Sequence, residues 1–309
     1  MADEALVEMV RSFVAAEVRP VAEELDETER FPAEIYERMG GLGLLGVTVP
    51  EADGGSGGTT LDYVEVMEEL SYGYSSVADQ CGLVELVGSL LSAFGTPEQK
   101  EAHLHGLLAG TRRCAYALTE PGAGSDLGGL ATTAWRDGAD WVLRGEKVYI
   151  HNAPVADFAL VLAVTDPERR KRGGMSMFLV DADAPGVRRA YKEKKMGQRA
   201  SPVGGFVFDD VRLPGSALLG AEGEGFGAVL RVLEKGRLGI GALANGISRA
   251  ALDTAREHAR TRHQFGRPLA DNQAVAFSLA DMATDHEGAR LYRDARSPRS
   301  TRAPARSSA

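Results

Sequence analysis

The sequence predicts an α+β chain of several domains, in which a middle β domain separates two helical regions. Apolar residues recur at helical spacing in the first part of the chain, short strands bounded by Gly, Pro and Asp turns follow, and the helical period then returns. We therefore expect an N-terminal all-helical domain at 1–113, a β-barrel or sandwich domain at 114–222, and part of a C-terminal helical-bundle domain at 223–296.

The helices of the first region are indicated by apolar spacing and by the residues at their ends. Val7, Val10 and Val14 share one face of a first helix, which we expect Pro20 to kink or divide. Thr96 is well suited to cap the last helix of the region. Further helices are expected at 32–41, 61–70, 77–94 and 97–108.

The middle region is predicted to consist of short strands. Residues 135–143 are expected to form a strand, an Asp-Gly turn and a second strand. More strands are expected at 114–118, 131–135, 149–150, 158–164, 175–180, 187–191 and 203–211. Helices return at about 226–261 and 271–291, so the order along the chain is α, then β, then α.

Composition limits the functions that the chain can have. Its 309 residues are 44% hydrophobic and 26% charged, with a formal net charge of −9, which is typical of globular proteins and argues against a general nucleic-acid binder. Two cysteines, Cys81 and Cys114, are too few for a disulfide framework and lack metal-ligand spacing, so we expect a cytoplasmic location and no metal site. Neither a signal peptide nor a membrane span is expected.

The segment Thr119–Asp126 (Thr-Glu-Pro-Gly-Ala-Gly-Ser-Asp) joins two predicted strands. Gly122 and Gly124 let the backbone turn tightly and approach another group closely. Successive N–H groups in such a turn form an anion-binding concavity, to which the hydroxyls of Thr119 and Ser125 add donors. From composition alone, the same residues also fit an ordinary connection between strands.

Together with motifs further along the chain, this segment resembles the signature loop of the acyl-CoA dehydrogenase family. The resemblance continues in Gly145–Asn152 (Gly-Glu-Lys-Val-Tyr-Ile-His-Asn) and covers nearly all of residues 1–296. The other matching motifs, in order, are Asp157, Lys195–Ser201, Phe208–Pro214, Leu233–Arg237 and Arg262–Met282. The resemblance implies the family's fold, with FAD bound between the β domain and helices of its own and a neighbouring subunit.

The resemblance also implies which residues bind FAD. The implied positions are Tyr116, Leu118, Thr119, Gly124, Ser125, Tyr149, Ile150, His151, Arg262, Phe265 and Gln273. Family members usually have Trp and Thr where this chain has Tyr149 and His151, so an imidazole N–H would replace the usual hydroxyl donor to the flavin. Arg262, Phe265 and Gln273 match positions that hold the FAD of the partner subunit.

For the substrate, the resemblance implies that Ser125 borders the thioester and that Glu234, Lys235, Gly236 and Arg237 contact the acyl-CoA. The family's reaction removes a proton from the acyl α-carbon while a hydride leaves the β-carbon for the flavin, so it needs a carboxylate base. Gly236 matches the position where a minority of members place that base, and glycine cannot act as one. The family also implies electron-transfer flavoprotein as electron acceptor, a homotetramer and a role in fatty acid β-oxidation.

The end of the chain is predicted to lack the usual catalytic Glu. Tyr292–Arg296 resembles the stretch that precedes that Glu in the family, but residues 297–309 do not continue it. When the family ending Ile-Thr-Glu-Ile-Tyr-Glu-Gly-Thr-Ser-Glu-Ile-Gln-Arg is written in GC-rich codons and read one base out of frame, it yields residues 297–309. We therefore expect a deletion and frameshift product with a disordered tail, which sequencing of codons 288–309 would test.

Three functions remain open from the sequence. The first is an FAD-dependent acyl-CoA dehydrogenase, impaired by the loss of its base. The second is a non-catalytic flavin- or acyl-CoA-binding remnant, and the third is an acyl-CoA oxidase-like flavoenzyme. Bleaching of the bound flavin by an acyl-CoA separates the first from the second, and peroxide release in air identifies the third.

Overall fold

The computed structural model describes the backbone of residues 3–300 and the side chains up to Leu291. It confirms the predicted fold class, because helices precede and follow a region of β-sheet. The helices in this part of the chain are α1 (Glu4–Phe13), α2 (Ala22–Thr28), α3 (Ala33–Gly41), α4 (Thr60–Gly73), α5 (Ser75–Phe94), α6 (Pro97–Gln99), α7 (His105–Leu108), α8 (Gly225–Thr261) and α9 (Gln273–Ser300). The strands are β1 (Cys114–Ala117), β2 (Thr133–Asp137), β3 (Asp140–His151), β4 (Phe158–Val164), β5 (Met175–Asp181), β6 (Val187–Lys192), β7 (Val203–Leu213), β8 (Leu218–Leu219), β9 (His263–Gln264) and β10 (Arg267–Pro268).

Two predicted helices differ in detail from the structure. The first is divided where Pro20 indicated, since a π turn at Val14–Val18 and a 3-10 turn at Arg19–Val21 separate α1 from α2. The second is α9, which continues to Ser300, so the backbone of residues 297–300 is helical where a disordered tail was predicted. The remainder of that tail, residues 301–309, lies outside the described residues.

The chain forms two compact units. The helical unit comprises Met1–Ala22, Thr59–Asp79 and Lys235–Ala309, and the β unit comprises Glu23–Gly58 and Gln80–Glu234. The two units group residues by packing, whereas the predicted domains at 1–113, 114–222 and 223–296 follow the order of the chain.

Close packing of α4 on α8 organises the helical unit. Ser71 Oγ donates a hydrogen bond of 2.7 Å to the carbonyl oxygen of Leu243. A Cβ placed on Gly246 would lie 2.3 Å from the carbonyl oxygen of Glu68, so only glycine permits this approach of the two backbones. The crossing explains why residues of the first and last regions fold together.

One sheet organises the β unit. Its strands follow the order β6-β7-β3-β2-β4-β5-β8, and β1 pairs with β4. The β1–β4 pairing is parallel and places Tyr116 opposite Leu160, whereas β3 pairs with β7 in the antiparallel direction. Trp141 and Phe178 meet edge to face in the core, with ring centroids 5.1 Å apart. Because β1 and β3 end near each other, this topology positions the candidate site.

Helix α5 is the one helix among the described residues that is long and apolar enough to cross a membrane. Of its apolar stretch, 67% is buried inside the protein, as is common for core helices. Polar residues interrupt this stretch, so uninterrupted apolar runs in the sequence do not mark it. Among the same residues, no group of three or more His, Cys, Asp or Glu side chains could hold a metal ion.

Candidate functional site

The ends of β1 and β3 lie side by side in the β unit. The backbone N–H of Val148 donates a hydrogen bond of 3.0 Å to the carbonyl oxygen of Thr119. This bond joins the segment that contains Tyr116, Leu118 and Thr119 to the segment that contains Tyr149. The structure therefore brings together the two stretches that the sequence assigned separately to the flavin.

A buried ion pair links the same two segments. Lys147 Nζ lies 2.8 Å from Glu120 Oε1 and donates a second hydrogen bond of 2.9 Å to the carbonyl oxygen of Leu118. The Glu120 carboxylate also accepts hydrogen bonds from the backbone N–H groups of Ala131, at 2.6 Å, and Thr132, at 3.1 Å. With these donors both charges are satisfied, which a buried ion pair requires in order to be tolerated.

The pKa values of the pair follow from burial and from the partner charge. Burial raises the pKa of Glu120, but the Lys147 ammonium and the hydrogen-bond donors lower it by more, so the net pKa lies below its ordinary value. For Lys147, burial lowers the pKa and Glu120 only partly offsets that effect. The carboxylate is therefore ionised at neutral pH and holds the loop through charge-assisted hydrogen bonds.

The loop after Glu120 leaves an open face. Glu120 and Ala123 exchange backbone hydrogen bonds of 2.9 and 3.1 Å around Pro121 and Gly122. Neither Gly122 nor Gly124 has a positive φ, so the tight turn does not depend on left-handed backbone at either glycine. A Cβ added at either position would meet no atom within 4 Å. The two glycines instead leave room for a ligand to approach the backbone.

The segment at the end of β3 is strained and exposes an aromatic ring. The register between β3 and β7 shifts between Lys147 and Ile150, which is the signature of a β-bulge. Within it, Tyr149 has a φ of 56° and an exposed fraction of 65%. Asn152 has a φ of 62° and is fully buried. Left-handed backbone at non-glycine residues is concentrated at functional sites, so this bulge is a candidate for one.

A buried amide pair holds the strained segment. Asn152 and Gln80 exchange two hydrogen bonds, with Asn152 Nδ2 donating at 2.7 Å and Gln80 Nε2 donating at 3.0 Å. Gln80 Nε2 also lies 3.2 Å from Ser201 Oγ. The backbone of Asn152 donates to the carbonyl oxygen of Pro202 at 2.7 Å. These contacts fix Asn152, the residue that directly follows His151. His151 itself is half-buried at the end of β3.

Three features of this site fit FAD. The hydroxyl of Tyr116 is buried and has no hydrogen-bond partner among the described residues, and burial raises its pKa, so it remains a donor. The ring of Tyr149 is available to pack against a planar group. The open face beside Gly122 and Gly124 can admit phosphates to backbone N–H groups. The residues present in the β unit therefore suit a flavin with a diphosphate.

The residues assigned to the FAD of a partner subunit lie together in the helical unit. Phe265 and Gly266 form the turn between β9 and β10 with φ values of 51° and 77°, as in a type I′ hairpin. Phe265 is fully exposed at its tip. Arg262 precedes the hairpin, and its carbonyl oxygen accepts a bond of 2.9 Å from the N–H of Leu269; Gln273 begins α9.

The positions assigned to acyl-CoA contact lie on α8. Glu234 and Arg237 are exposed there, whereas Lys235 and Gly236 are half-buried. Lys235 Nζ lies 5.8 Å from the centroid of the Tyr63 ring, within the range of a cation–π interaction. Ser125, the other substrate position, is exposed on the loop of the β unit.

Sequence reasoning missed the residues that support the site. Glu120 and Lys147 were part of the quoted motifs but received no role, and Gln80 and Asn152 were not connected. A signal for Lys147 was present, because a lysine at an inward position of a strand requires a buried acid as its partner. Nothing in the sequence alone pairs Gln80 with Asn152, since these residues are far apart along the chain.

Comparisons with known proteins point to one family. Family models for the acyl-CoA dehydrogenase N-terminal, middle and C-terminal domains match residues 2–111, 115–211 and 223–300. An acyl-CoA dehydrogenase of Bacillus subtilis is 40% identical over 283 residues, covering 91% of this chain and 74% of the relative. The human mitochondrial short-chain specific acyl-CoA dehydrogenase is 41% identical over 291 residues, covering 93% and 69%. A subunit of the caffeyl-CoA reductase–Etf complex of Acetobacterium woodii is 39% identical over 286 residues, covering 92% and 75%.

Solved structures of similar proteins point to the same family. Butyryl-CoA dehydrogenase from Megasphaera elsdenii superposes with a TM-score of 0.90 at 34% identity, covering 96% of this chain and 78% of that one. A glutaryl-CoA dehydrogenase from Mycobacterium smegmatis in complex with FADH2 superposes with a TM-score of 0.90 at 32% identity, covering 97% and 78%. The similarity therefore extends over nearly the whole of this chain.

Proposed function

The chain belongs to the acyl-CoA dehydrogenase family, and from this premise we propose that it binds FAD and oxidises an acyl-CoA thioester between its α- and β-carbons. The observation that carries the proposal is the junction of β1 and β3, where the Thr119–Val148 hydrogen bond and the Glu120–Lys147 pair present two flavin-facing segments as one surface. FAD, when bound, supplies the acceptor for the hydride of the β-carbon.

The chain's own residues bind and orient the flavin and the thioester in this proposal. In this proposal Tyr116 and Thr119 supply hydroxyl donors at the polar edge of the flavin, and the ring of Tyr149 packs against its face. Ser125, on the open loop, contacts both the flavin phosphates and the thioester. Leu118, Gly124, Ile150 and His151 complete the cofactor contacts of the β unit.

The hairpin between β9 and β10 supports a homo-oligomer. A fully exposed phenylalanine at the tip of a tight turn is unfavourable in water and suits contact with a second molecule. We propose that Phe265, with Arg262 and Gln273, holds the FAD of a neighbouring subunit in a tetramer. Size-exclusion chromatography with light scattering tests this, and a monomer that retains FAD would contradict it.

The proton acceptor is the weak point of the proposed reaction. The acyl α-proton is weakly acidic, so its removal needs a carboxylate held in a dry pocket. Gly236, at the alternative base position, has no side chain, and Glu234, two residues away on α8, points from another side of the helix. Helix α8 therefore does not supply the base at this position, and flavin and acyl-CoA binding without turnover is the second candidate function.

The relatives suggest the cellular context. A relative in a complex with Etf supports electron-transfer flavoprotein as the electron acceptor. Cys81 and Cys114 are both buried and not joined in a disulfide, which is consistent with a cytoplasmic location. We include a role in fatty acid β-oxidation in the proposal on family grounds alone.

Purified protein tests the proposal. We expect a yellow preparation that carries FAD and bleaches without oxygen when a straight-chain acyl-CoA is added. A yellow preparation that no acyl-CoA bleaches supports the second candidate, and bleaching followed by peroxide release in air supports an oxidase. Failure to take up FAD on reconstitution would refute all three. Tyr149→Ala is a matched variant, because it should reduce FAD uptake without removing a buried group.

A further inference from the structure

The helical unit contains a cavity of about 350 Å³ beside the end of α1. Its walls come from α1, from the two turns that follow α1, from α4 and from α8. The π turn at Val14–Val18 lies directly against the end of α4, because a Cβ placed on Gly73 would lie 2.6 Å from Val14 Cγ1. Such π turns are frequent at functional sites, and none of the residues assigned to FAD or acyl-CoA lines this cavity. The cavity is therefore a candidate for a separate site.

Two of the three arginines that line the cavity are neutralised by buried carboxylates. Arg11 donates to Glu69 Oε1 through Nε at 3.1 Å and through Nη2 at 3.0 Å. Arg249 donates to the same carboxylate through Nη1 at 3.0 Å and Nη2 at 2.6 Å, and it also lies 3.3 Å from Glu68 Oε1. Burial raises the pKa of Glu69, but the two arginines lower it by more, so the net pKa lies below its ordinary value. Arg11 and Arg249 are therefore balanced by acids of the protein itself.

The third arginine, Arg19, has no acidic partner. Its guanidinium carbon lies 4.9 Å from the centroid of the Tyr72 ring, and that of Arg249 lies 4.4 Å from the same centroid. Among the described residues, Arg19 forms no hydrogen bond or ion pair through its side chain. Asp253 does not compensate it, because this carboxylate accepts a bond of 3.1 Å from the Tyr72 hydroxyl and pairs with Arg256 at 3.0 Å. The Tyr72 ring thus holds at the cavity wall a guanidinium whose N–H donors are open to a ligand.

We propose that this cavity binds a small monocarboxylic acid, with the carboxylate on Arg19 and the apolar tail against the Tyr72 ring. Val14 and Ala15 of the π turn complete the apolar wall. A guanidinium presents paired N–H donors that match the two oxygens of a carboxylate. One uncompensated positive charge suits a monoanion, whereas a phosphate dianion would be repelled by the carboxylates in the lining. The volume lies near the small end of the range for ligand pockets, about 300–1,000 Å³, so we expect a short acid such as butanoate. The proposal goes beyond the proposed function and does not depend on it.

Calorimetric titration of the full chain with sodium butanoate at constant ionic strength tests the site. We expect butanoate to bind about tenfold more tightly than acetate, because its two additional methylene groups leave water on binding. Inorganic phosphate and butylammonium should both bind more weakly than butanoate, since the first carries excess negative charge and the second is a cation. Arg19→Gln removes the guanidinium and should weaken butanoate binding by a factor of about ten or more.

Ala15→Phe fills the cavity without changing its charge, and it should also weaken butanoate binding about tenfold or more. Ala15 is exposed, so the larger side chain does not disturb a packed core. The control Arg260→Gln removes an exposed cation of α8 outside the cavity and should leave the dissociation constant of butanoate unchanged. Absence of butanoate binding, equal affinity for acetate, or undiminished binding by Arg19→Gln would overturn the proposal. So would tighter binding of phosphate, or displacement of butanoate by an acyl-CoA, which would place the acid in the thioester site.

Discussion

Replacing Lys147 with Met tests whether the buried ion pair organises the site. The exposed fraction of the side chain is 0% for Lys147 and 4% for Glu120. Removing one partner of a buried pair leaves the other charge uncompensated, which costs about 3–5 kcal/mol. The Glu120 carboxylate keeps the N–H donors of Ala131 and Thr132, so we expect the lower end of that range, about 3 kcal/mol, for Lys147→Met.

Urea unfolding followed by tryptophan fluorescence measures this loss in the relevant unit. The chain has two tryptophans, Trp135 and Trp141, and both lie in the β unit. Glu120→Gln and the double variant complete a cycle, in which we expect the double loss to be smaller than the sum of the single losses by at least about 1 kcal/mol. A loss below about 1 kcal/mol for Lys147→Met, or strictly additive losses, would refute the reasoning. Lys194→Met, at an exposed position, serves as the control.

The same pair has a pH dependence with a definite sign. The folded-state pKa of Glu120 is depressed below its ordinary value of 4.5. A depressed carboxyl pKa contributes stability that is present above pH 4.5 and is lost as the pH falls through the folded pKa. The urea midpoint of Glu120→Gln should therefore change less than that of the wild type in this acid range. Parallel acid limbs for the two proteins would contradict the assignment.

Three further substitutions test neighbouring features. Gln80→Ala removes both hydrogen bonds between the amides of Gln80 and Asn152, so the dissociation constant of FAD in a fluorescence titration should rise about tenfold. Gln99→Ala removes another buried glutamine of the β unit and should leave this dissociation constant unchanged. Tyr149→Gly relieves a left-handed backbone, so it should raise the free energy of unfolding by about 1 kcal/mol while weakening FAD binding; a less stable variant would argue against strain. Burial lowers the pKa of His103 from 6.5 to about 4, so between these pH values the unfolded chain binds a proton that the folded chain does not. The stability of the wild type should therefore fall as the pH drops from 6.5 to about 4. His103→Phe should show a smaller fall in the urea midpoint over the same range.

The fold was largely predictable because its signals are local. The change from helical spacing to short strands at Cys114 is visible in the sequence, and β1 begins at that residue. The grouping into two units was not predictable in the same way. It depends on contacts such as Gly246 against the backbone of Glu68, which join residues distant along the chain. From the sequence alone, a glycine within a helix can mark either close contact with another helix or simply a residue that lowers helix stability.

The site was predictable only where motifs carry it. Thr119, Ser125 and Tyr149 were identified through the resemblance, and their segments are neighbours in the structure. The tight turn at Gly122 was also predicted, and the structure adds that this glycine leaves open space without a positive φ.

The buried polar contacts around Tyr149 and Asn152 stabilise the left-handed backbone of this segment. A left-handed tyrosine costs about 1–3 kcal/mol, so the bulge persists only if neighbouring contacts stabilise it by a similar amount. Gln80 contributes two amide hydrogen bonds to Asn152, and Lys147 fixes the strand just before the bulge to Glu120. Because the chain itself makes these contacts, the ring of Tyr149 is presented before any cofactor arrives. Binding of the proposed flavin would then order little of the protein, so its free energy would be available for holding the flavin in place.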